Sequence, residues 1–218
     1  MLDLRWPELR TILALGAHSD DIEIGAGATL LRLMREHPGL RVVWVVLSGG
    51  GIRGAEARAS AARFLEGAAA SVVELHEFRD GRFPLQWGEI KDVFEALKVH
   101  EPDLIFTHYG KDLHQDHRTV SELTWNAFRD HVILEYEIPK WDGGMGSPNA
   151  FVPASVADAD RKIEILLSAF ASQTSKHWFD DLTFRGLMRL RGMECCAPDA
   201  LAEAFFARKL SLGGPAGR

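Results

Sequence analysis

The chain has 218 residues, of which 46% are hydrophobic, and carries a formal net charge of −6. This length allows one domain with a sizeable core, so we expect a single domain over residues 1–218. Lysine and arginine are dispersed and fewer than aspartate and glutamate, 25 against 31. Composition therefore argues against a protein that binds nucleic acid or an anionic membrane surface.

The chain also lacks the features of a secreted or membrane-spanning protein. Its first residues show no basic segment followed by a long apolar one, and no stretch approaches the roughly 20 apolar residues that span a bilayer. The two cysteines, Cys195 and Cys196, are adjacent and cannot form a disulfide framework. We therefore expect a cytoplasmic protein with no membrane partner.

Apolar β-branched runs alternate along the chain with segments of helical periodicity. Strands are predicted at 11–17, 42–47, 71–75, 103–107, 131–136 and near 151–156, and helices at 22–37, 55–66, 87–100 and 114–129. The early strands are apolar almost throughout, which is typical of parallel strands covered by helices on both faces. The pattern predicts an α/β fold with a doubly wound, mainly parallel sheet and a helical C-terminal part from Arg161 onward.

The segment AHSDDIE directly follows the first predicted strand. His18 and Asp21 are three residues apart, so both side chains can reach one point if the chain turns into a helix. Asp20 is then free to face water. The alternative is structural, because Asp20 or Asp21 could instead cap the helix that begins near Ile22.

The segment HQDH follows the fourth predicted strand and places His114 and His117 one helical turn apart, with Asp116 between them. Asp112, followed by Gln115, resembles a capping box and is expected to be structural. Two histidines and a carboxylate can hold a zinc ion and leave one position for water, and a second carboxylate can act as base. Because both segments follow strands of one sheet, they indicate a metal-dependent hydrolase.

Together, AHSDDIE and HQDH closely resemble the signatures of the LmbE-like, or PIG-L, family of metal-dependent N-deacetylases. The resemblance continues through RGAEARASAARFL, EYEIPKWDG, ASQ and AEAFF. It implies a Rossmann-like fold, zinc as the usual metal, and removal of an N-acetyl group from an N-acetylglucosamine-type sugar or its glycoside by metal-bound water. Fe²⁺ is an alternative metal, since two imidazoles and a carboxylate suit both ions. The expected partner is a small acetylated amino sugar, and a homo-oligomer is left open.

The resemblance also implies roles for single residues, by motif position. The metal ligands would be His18, Asp21 and His117, and the general base would be Asp20. His114 would stabilise the oxyanion or protonate the leaving amine. Asp116 would orient a histidine, and Arg53 would contact the substrate. The chain departs from the family's commoner first motif at Ser19, where proline is usual, and at Ile22, which separates Asp21 from Glu23. Neither departure changes a ligand or the base.

Three further residues are candidates for substrate contact, each with a structural alternative. His108 ends the strand before HQDH and could line the site or support it. Asp80 lies in a strand-end loop, where a turn is equally plausible. Trp141 could stack on a sugar or pack in the core. It belongs to a Gly- and Pro-rich segment, 139–149, that is predicted to be a long loop and a candidate lid.

Two other functions are compatible with parts of the sequence. Gly49, Gly51 and Gly54 spell G-x-G-x-x-G, with Glu74 about twenty residues on, which is the spacing of an NAD-binding oxidoreductase. This motif follows the second strand instead of the first and leaves both His/Asp segments unexplained. The glycines could instead form a tight turn that places Arg53. The second alternative is a metal-binding homologue without turnover, although no ligand or base is missing.

Overall fold

The computed structural model describes residue 6 and residues 8–211. Seven strands and six α-helices alternate along this part of the chain: β1 (Thr11–His18), α1 (Asp21–Glu36), β2 (Arg41–Ser48), α2 (Gly51–Phe64), β3 (Ala70–Leu75), α3 (Trp87–Leu97), β4 (Leu104–His108), α4 (Gln115–Ala127), β5 (Val132–Tyr136), β6 (Ala150–Pro153), α5 (Val156–Ala169), α6 (Asp181–Glu194) and β7 (Ala202–Ala207). Among these helices, none is both long and apolar enough to cross a membrane.

The strands form one sheet in the order β3-β2-β1-β4-β5-β7-β6. Strands β1 to β5 pair in parallel, whereas β7 runs antiparallel to both of its neighbours. The predicted α/β class, with a mainly parallel sheet, is confirmed. The chain reverses its winding direction between β1 and β4, and such a switch point opens a crevice at the carboxyl ends of the strands.

Successive side chains of the central strands enter two separate cores, one on each face of the sheet. Ile12 and Ala14 of β1 join the core formed with α1, α2, α5 and α6. Leu13 and Leu15 of the same strand join the core formed with α3 and α4. Because side chains alternate between faces, a strand buried on both faces is expected to be apolar along its length, as residues 12–17 of β1 are.

The elements predicted for the C-terminal part of the chain were only partly correct. Strand β6 stops at Pro153, and Val156 begins α5. The expectation of a helical C-terminal part missed β7, which lies inside the sheet between β5 and β6. Glu203, the second residue of β7, hid the strand from a pattern search, because the partners that make a buried carboxylate tolerable, such as Lys162, lie far away in the sequence.

Candidate metal centre and active site

The first cluster lies where β1 ends and α1 begins. His18 is the last residue of β1, and Asp21 is the first residue of α1. The backbone N–H of His18 donates to Asp21 Oδ2 at 2.6 Å, which turns that carboxylate back towards the strand. Asp20 occupies the N-cap position, but its side chain accepts no capping hydrogen bond. Helix capping therefore does not explain why an aspartate stands at position 20.

The second cluster lies at the start of α4, and its local structure differs from the predicted capping box. The N-cap is His114, whose Nδ1 accepts the backbone N–H of Asp116 at 3.2 Å. Asp112 lies further back. Its Oδ1 accepts the N–H of His114 at 2.7 Å, and its Oδ2 accepts Nδ1–H of His117 at 3.0 Å. The capping-box interpretation of Asp112 was wrong, since the extended backbone of His114 shifts the helix start by two residues.

Three acceptor atoms from the two clusters converge on one point. His18 Nδ1 lies 3.2 Å from His117 Nε2 and 3.3 Å from Asp21 Oδ2. His117 Nε2 lies 3.6 Å from the same Asp21 oxygen. Zinc–ligand bonds of about 2.0–2.2 Å in a tetrahedron separate neighbouring ligand atoms by roughly 3.3–3.6 Å. The spacing of these three atoms therefore fits a tetrahedral metal with one position left for another ligand.

Carboxylates orient both histidines from behind. His18 Nε2 lies 3.1 Å from Asp80 Oδ1 and 3.3 Å from Asp116 Oδ2. The corresponding partner of His117 is Asp112. A carboxylate on the far nitrogen keeps the proton there and points the lone pair of the near nitrogen at the metal position. This arrangement is the one that metal-binding histidines usually have.

Burial and charge favour a cation at this point. Burial opposes ionisation of Asp21, but His117, His108 and His18 outweigh it and hold the pKa of Asp21 well below its ordinary value. Burial lowers the pKa of His117 to about 3, so this imidazole is neutral. Burial also disfavours the charged form of His18, yet Asp21 and Asp116 raise its pKa well above 6.5. Metal binding would release that His18 proton.

Three other sets of side chains are close enough to share a metal: His18, His114 and His117; His18, Asp80, His114 and Asp116; and Asp21, His108 and His117. Hydrogen bonding counts against all three sets, because each contains His114 or His108. Nδ1 of His114 already accepts the N–H of Asp116, and Nε2 of His108 accepts the N–H of Ala17 at 2.9 Å.

His108 supports the site from inside the protein. Its side chain is 0% exposed, and its ring stacks on that of His117 with centroids 3.9 Å apart. Its Nε2 also lies 3.2 Å from the hydroxyl of Tyr136, which donates to the carbonyl of Leu15. His108 is fully buried and does not line the cavity, so the expectation of substrate contact is corrected to the supporting role that the sequence also allowed. No sequence pattern distinguishes a histidine that lines the cavity from one that supports a lining residue from behind.

Asp20 and Asp116 occupy different environments. Burial, followed by the nearby charge of Asp21, raises the pKa of Asp20, while Arg53 opposes this effect. The Arg53 guanidinium donates to Asp20 Oδ1 at 3.0 Å. Asp116 is fully buried and accepts the N–H groups of Gly81 and Phe83 at 2.6 and 3.0 Å. It therefore holds the loop that carries Asp80 as well as orienting His18.

A cavity of about 350 Å³ opens onto this point. Its lining includes all the predicted site residues except His108 and Asp116: His18, Asp20, Asp21, Arg53, Asp80, His114, His117 and Trp141. Trp141 is 70% exposed, so packing in the core does not account for it. Asp80 contacts His18 and Arg53, and the contact with His18 contributes most to lowering the pKa of Asp80 to about 2.

Two lysines of the cavity wall, Lys140 and Lys176, were not identified from the sequence. Lys140 adjoins Trp141 and donates to Asp112 Oδ2 at 2.5 Å, so it contacts the carboxylate that orients His117. Lys176 and Trp178 come from the segment after α5. His177, between them, stacks on Trp141 with ring centroids 5.6 Å apart. Lys140 belongs to the quoted motif EYEIPKWDG, which could have marked it, but the position of Lys176 depends on the packing of distant segments.

The glycine loop after β2 has a structural explanation. A Cβ on Gly54 would lie 1.9 Å from the carbonyl oxygen of Gly49, so only glycine fits there, and Gly51 has φ +60°. The N–H of Gly49 donates to the carbonyl of His76 at 2.7 Å, which removes one donor that a phosphate would need. The loop leads into the first turn of α2 and places Arg53 beside Asp20.

A sequence profile of the PIG-L family, described as GlcNAc-PI de-N-acetylase, matches residues 13–128. That match spans more than half of the chain and includes both His/Asp clusters. The chain belongs to the PIG-L family.

One relative and two solved structures illustrate the range of similar proteins. The chain is 34% identical over 142 residues to the uncharacterized deacetylase YaiS of Escherichia coli K12, covering 59% of this chain and 74% of YaiS. It matches N,N'-diacetylchitobiose deacetylase from Pyrococcus horikoshii with a TM-score of 0.70 at 20% identity, over 90% of this chain and 83% of the other. It matches GalB, the 4-carboxy-2-hydroxymuconate hydratase of Pseudomonas putida, with a TM-score of 0.72 at 17% identity, over 96% and 100%. At these identities the two structures show a shared fold, and a fold alone does not determine the reaction.

Proposed function

We propose that this PIG-L family protein is a metal-dependent N-deacetylase that releases acetate from an acetylated amino sugar or its glycoside. One observation carries the proposal. The acceptor atoms of His18, Asp21 and His117 converge at 3.2–3.6 Å from one another, beside the buried carboxylate of Asp20. A buried group of acceptors with a base next to it is what hydrolysis by an activated water requires.

His18, Asp21 and His117 are the proposed ligands of a zinc ion, with Fe²⁺ as the alternative. A zinc ion bound there would lower the pKa of a water molecule and polarise the amide carbonyl. The remaining chemistry belongs to the protein. Asp20 takes the proton of the attacking water, and its raised pKa makes it a better base near neutral pH.

His114 is proposed to stabilise the oxyanion, and its hydrogen bonding favours that role. Its Nδ1 accepts the N–H of Asp116, so the ring proton is on Nε2 and is available as a donor. Burial, then the charge of His18, lowers the pKa of His114. A neutral imidazole can donate a hydrogen bond to an oxyanion, whereas protonation of the amine would need a charged one. Asp20, once protonated, is then the better acid for the leaving amine.

Several side chains could position the sugar. Arg53, Asp80 and Trp141 line the cavity and can supply hydrogen bonds to hydroxyl groups and an apolar face for the ring. The family description and the Pyrococcus enzyme both concern acetylated glucosamine units. These observations support a small N-acetylglucosamine-type substrate.

The test combines metal analysis with an assay of acetate release from a panel of N-acetylglucosaminides. We expect about one metal per chain in the wild type, and loss of both metal and acetate release in His117→Ala. His37→Ala, which removes a histidine at the opposite end of α1, is the matched control and should change neither quantity. A wild-type protein that binds no zinc or iron after reconstitution would refute the proposal, and one that binds metal but hydrolyses no acetylated amine would be the homologue without turnover.

A further inference from the structure

One of the residues that line the cavity is a lysine whose charge no described carboxylate neutralises. Lys176 is half-buried and lines the cavity together with Trp178 and Trp141. Its ammonium lies 5.7 Å from the centroid of the Trp178 ring. Within residues 8–211, no carboxylate comes within ion-pairing distance of Lys176 Nζ. A lysine held against an aromatic ring in a cavity, without a counter-charge, is available to a ligand.

The other two cations of the cavity are already committed. Arg53 contacts Asp20 at 3.0 Å and Asp80 at 3.6 Å. Lys140 is paired with Asp112 and also donates to the carbonyl of Ile138. Both side chains therefore serve the catalytic groups. Lys176 is the lining cation that remains free, on the side of the cavity formed by the segment after α5.

The surroundings of Lys176 suit the part of a substrate that extends beyond the reacting sugar. Trp141 stacks on His177 with ring planes 13° apart, which joins the loop after β5 to the segment that carries Lys176. The acidic lining residue next to Trp141 is Asp142, and its Oδ1 accepts the N–H of Gly144 at 2.8 Å within its own turn. Aromatic walls with a free ammonium match an organic anion better than a neutral sugar.

We propose that Lys176 binds an anionic group, a carboxylate or a phosphate, carried by the substrate outside the acetylated amine. The physiological substrate is then an anionic derivative of an acetylated amino sugar, and Lys176 is a residue that determines specificity. This inference rests on the proposed deacetylase function and adds the charge of the substrate to it.

The experiment compares three substrates on the metal-loaded protein: methyl N-acetylglucosaminide, its carboxymethyl counterpart, and N-acetylglucosamine 1-phosphate. We expect the wild type to have a lower KM for at least one anionic substrate than for the neutral one. Lys176→Met should raise that KM roughly tenfold, the size of one charge-assisted contact, and should leave the neutral KM and every kcat within about twofold. Whether the carboxylate or the phosphate responds identifies the anion.

Three controls sharpen the result. Lys176→Arg should restore most of the anionic preference, because the charge is retained. Lys98→Met removes a lysine that is paired with Glu95 on α3 and should have no effect. Asp142→Asn keeps the acceptor for Gly144 and should lower the anionic KM. The same KM change for neutral and anionic substrates in Lys176→Met would overturn the proposal, as would a wild type indifferent to charge. Hydrolysis of the neutral glycoside in either case would leave the deacetylase function standing.

Discussion

Two of the buried groups of charged side chains in the described part of the chain are built differently. The metal-site cluster consists of His18, Asp21 and His117 with their partners Asp80, Asp112 and Asp116. The second group, the α5–β7 ion pair, consists of Lys162 and Glu203. Lys162 Nζ donates to Glu203 Oε1 and to the carbonyl of Ile24, both at 2.6 Å. Glu203 also accepts the N–H groups of Ala28 and Thr29 at 3.0 and 2.7 Å.

The comparison shows which buried charges indicate function. In the α5–β7 ion pair, every acceptor faces a donor of the protein, so the group is complete by itself and serves to attach α1 to both elements. In the metal-site cluster, three potential ligand atoms converge within 3.2–3.6 Å of one another, and the proton of His18 is the one positive charge that the three residues supply there. The convergence of potential metal ligands, more than their burial, indicates that the metal-site cluster has a chemical role.

The largest effect is expected from a residue that lies next to the metal-site cluster but is not a proposed ligand. Asp20→Asn should lower kcat by about 10²- to 10⁴-fold, because general-base catalysis is lost. Its metal content should stay at the wild-type level, since the converging atoms are unchanged. Single-turnover kinetics and metal analysis on the same preparation measure both quantities. Unchanged turnover would remove Asp20 as the base.

Lys162→Met tests the α5–β7 ion pair. The carboxylate of Glu203, only 4% exposed, would lose its counter-charge, so the free energy of unfolding should fall by about 3–5 kcal/mol. Denaturant unfolding measures this loss. Below the transition, the variant should still bind one metal per chain. A variant of wild-type stability that has lost its metal would mean that the two groups are not separate, as the comparison assumes.

Asp112→Asn tests the support of the metal-site cluster. The amide can still accept the Nδ1–H of His117, but the negative charge behind that ring is gone. We expect metal affinity to fall about 10- to 100-fold, as is usual for carboxylates that orient metal-binding histidines. Competition with a chelator measures the change. If this variant kept the wild-type metal affinity, the charge of Asp112 would serve only to bind Lys140.

The smallest effect is expected at an ion pair with an exposed partner, outside both groups. Burial opposes ionisation of Asp158, but hydrogen bonds from Arg35 and Ser155 outweigh it and lower its pKa below the ordinary 3.8. The stability from this pair is therefore present above that value and is lost as pH falls through the lowered pKa. Arg35→Met should cost at most about 1 kcal/mol at neutral pH. Urea unfolding at pH 7 and pH 3 should show a smaller difference at the lower pH, and an equal difference would exclude the charge of Asp158 as its cause.

Much of the site could be predicted because its signals are local. AHSDDIE and HQDH are short, and each follows an apolar strand, so the motifs and the order of elements indicate that they meet at one edge of a sheet. The proposed roles of His18, Asp20, Asp21 and His117 need only that proximity. The roles that had to be corrected are the capping role of Asp112 and the substrate contact of His108. Whether each side chain faces the cavity or supports another ring depends on the exact helix start and on ring stacking.

The sequence by itself determined the α/β class, the parallel core strands and the two clusters at the ends of β1 and β4, since periodicity and short motifs are properties of neighbouring residues. The tertiary structure decided the rest. It brought His18 within 3.2 Å of His117, 99 positions away, inserted β7 into the sheet around a buried carboxylate, and placed Lys176 among the residues that line the cavity. These outcomes depend on contacts between segments far apart in the chain, and periodicity and short motifs carry no record of such contacts.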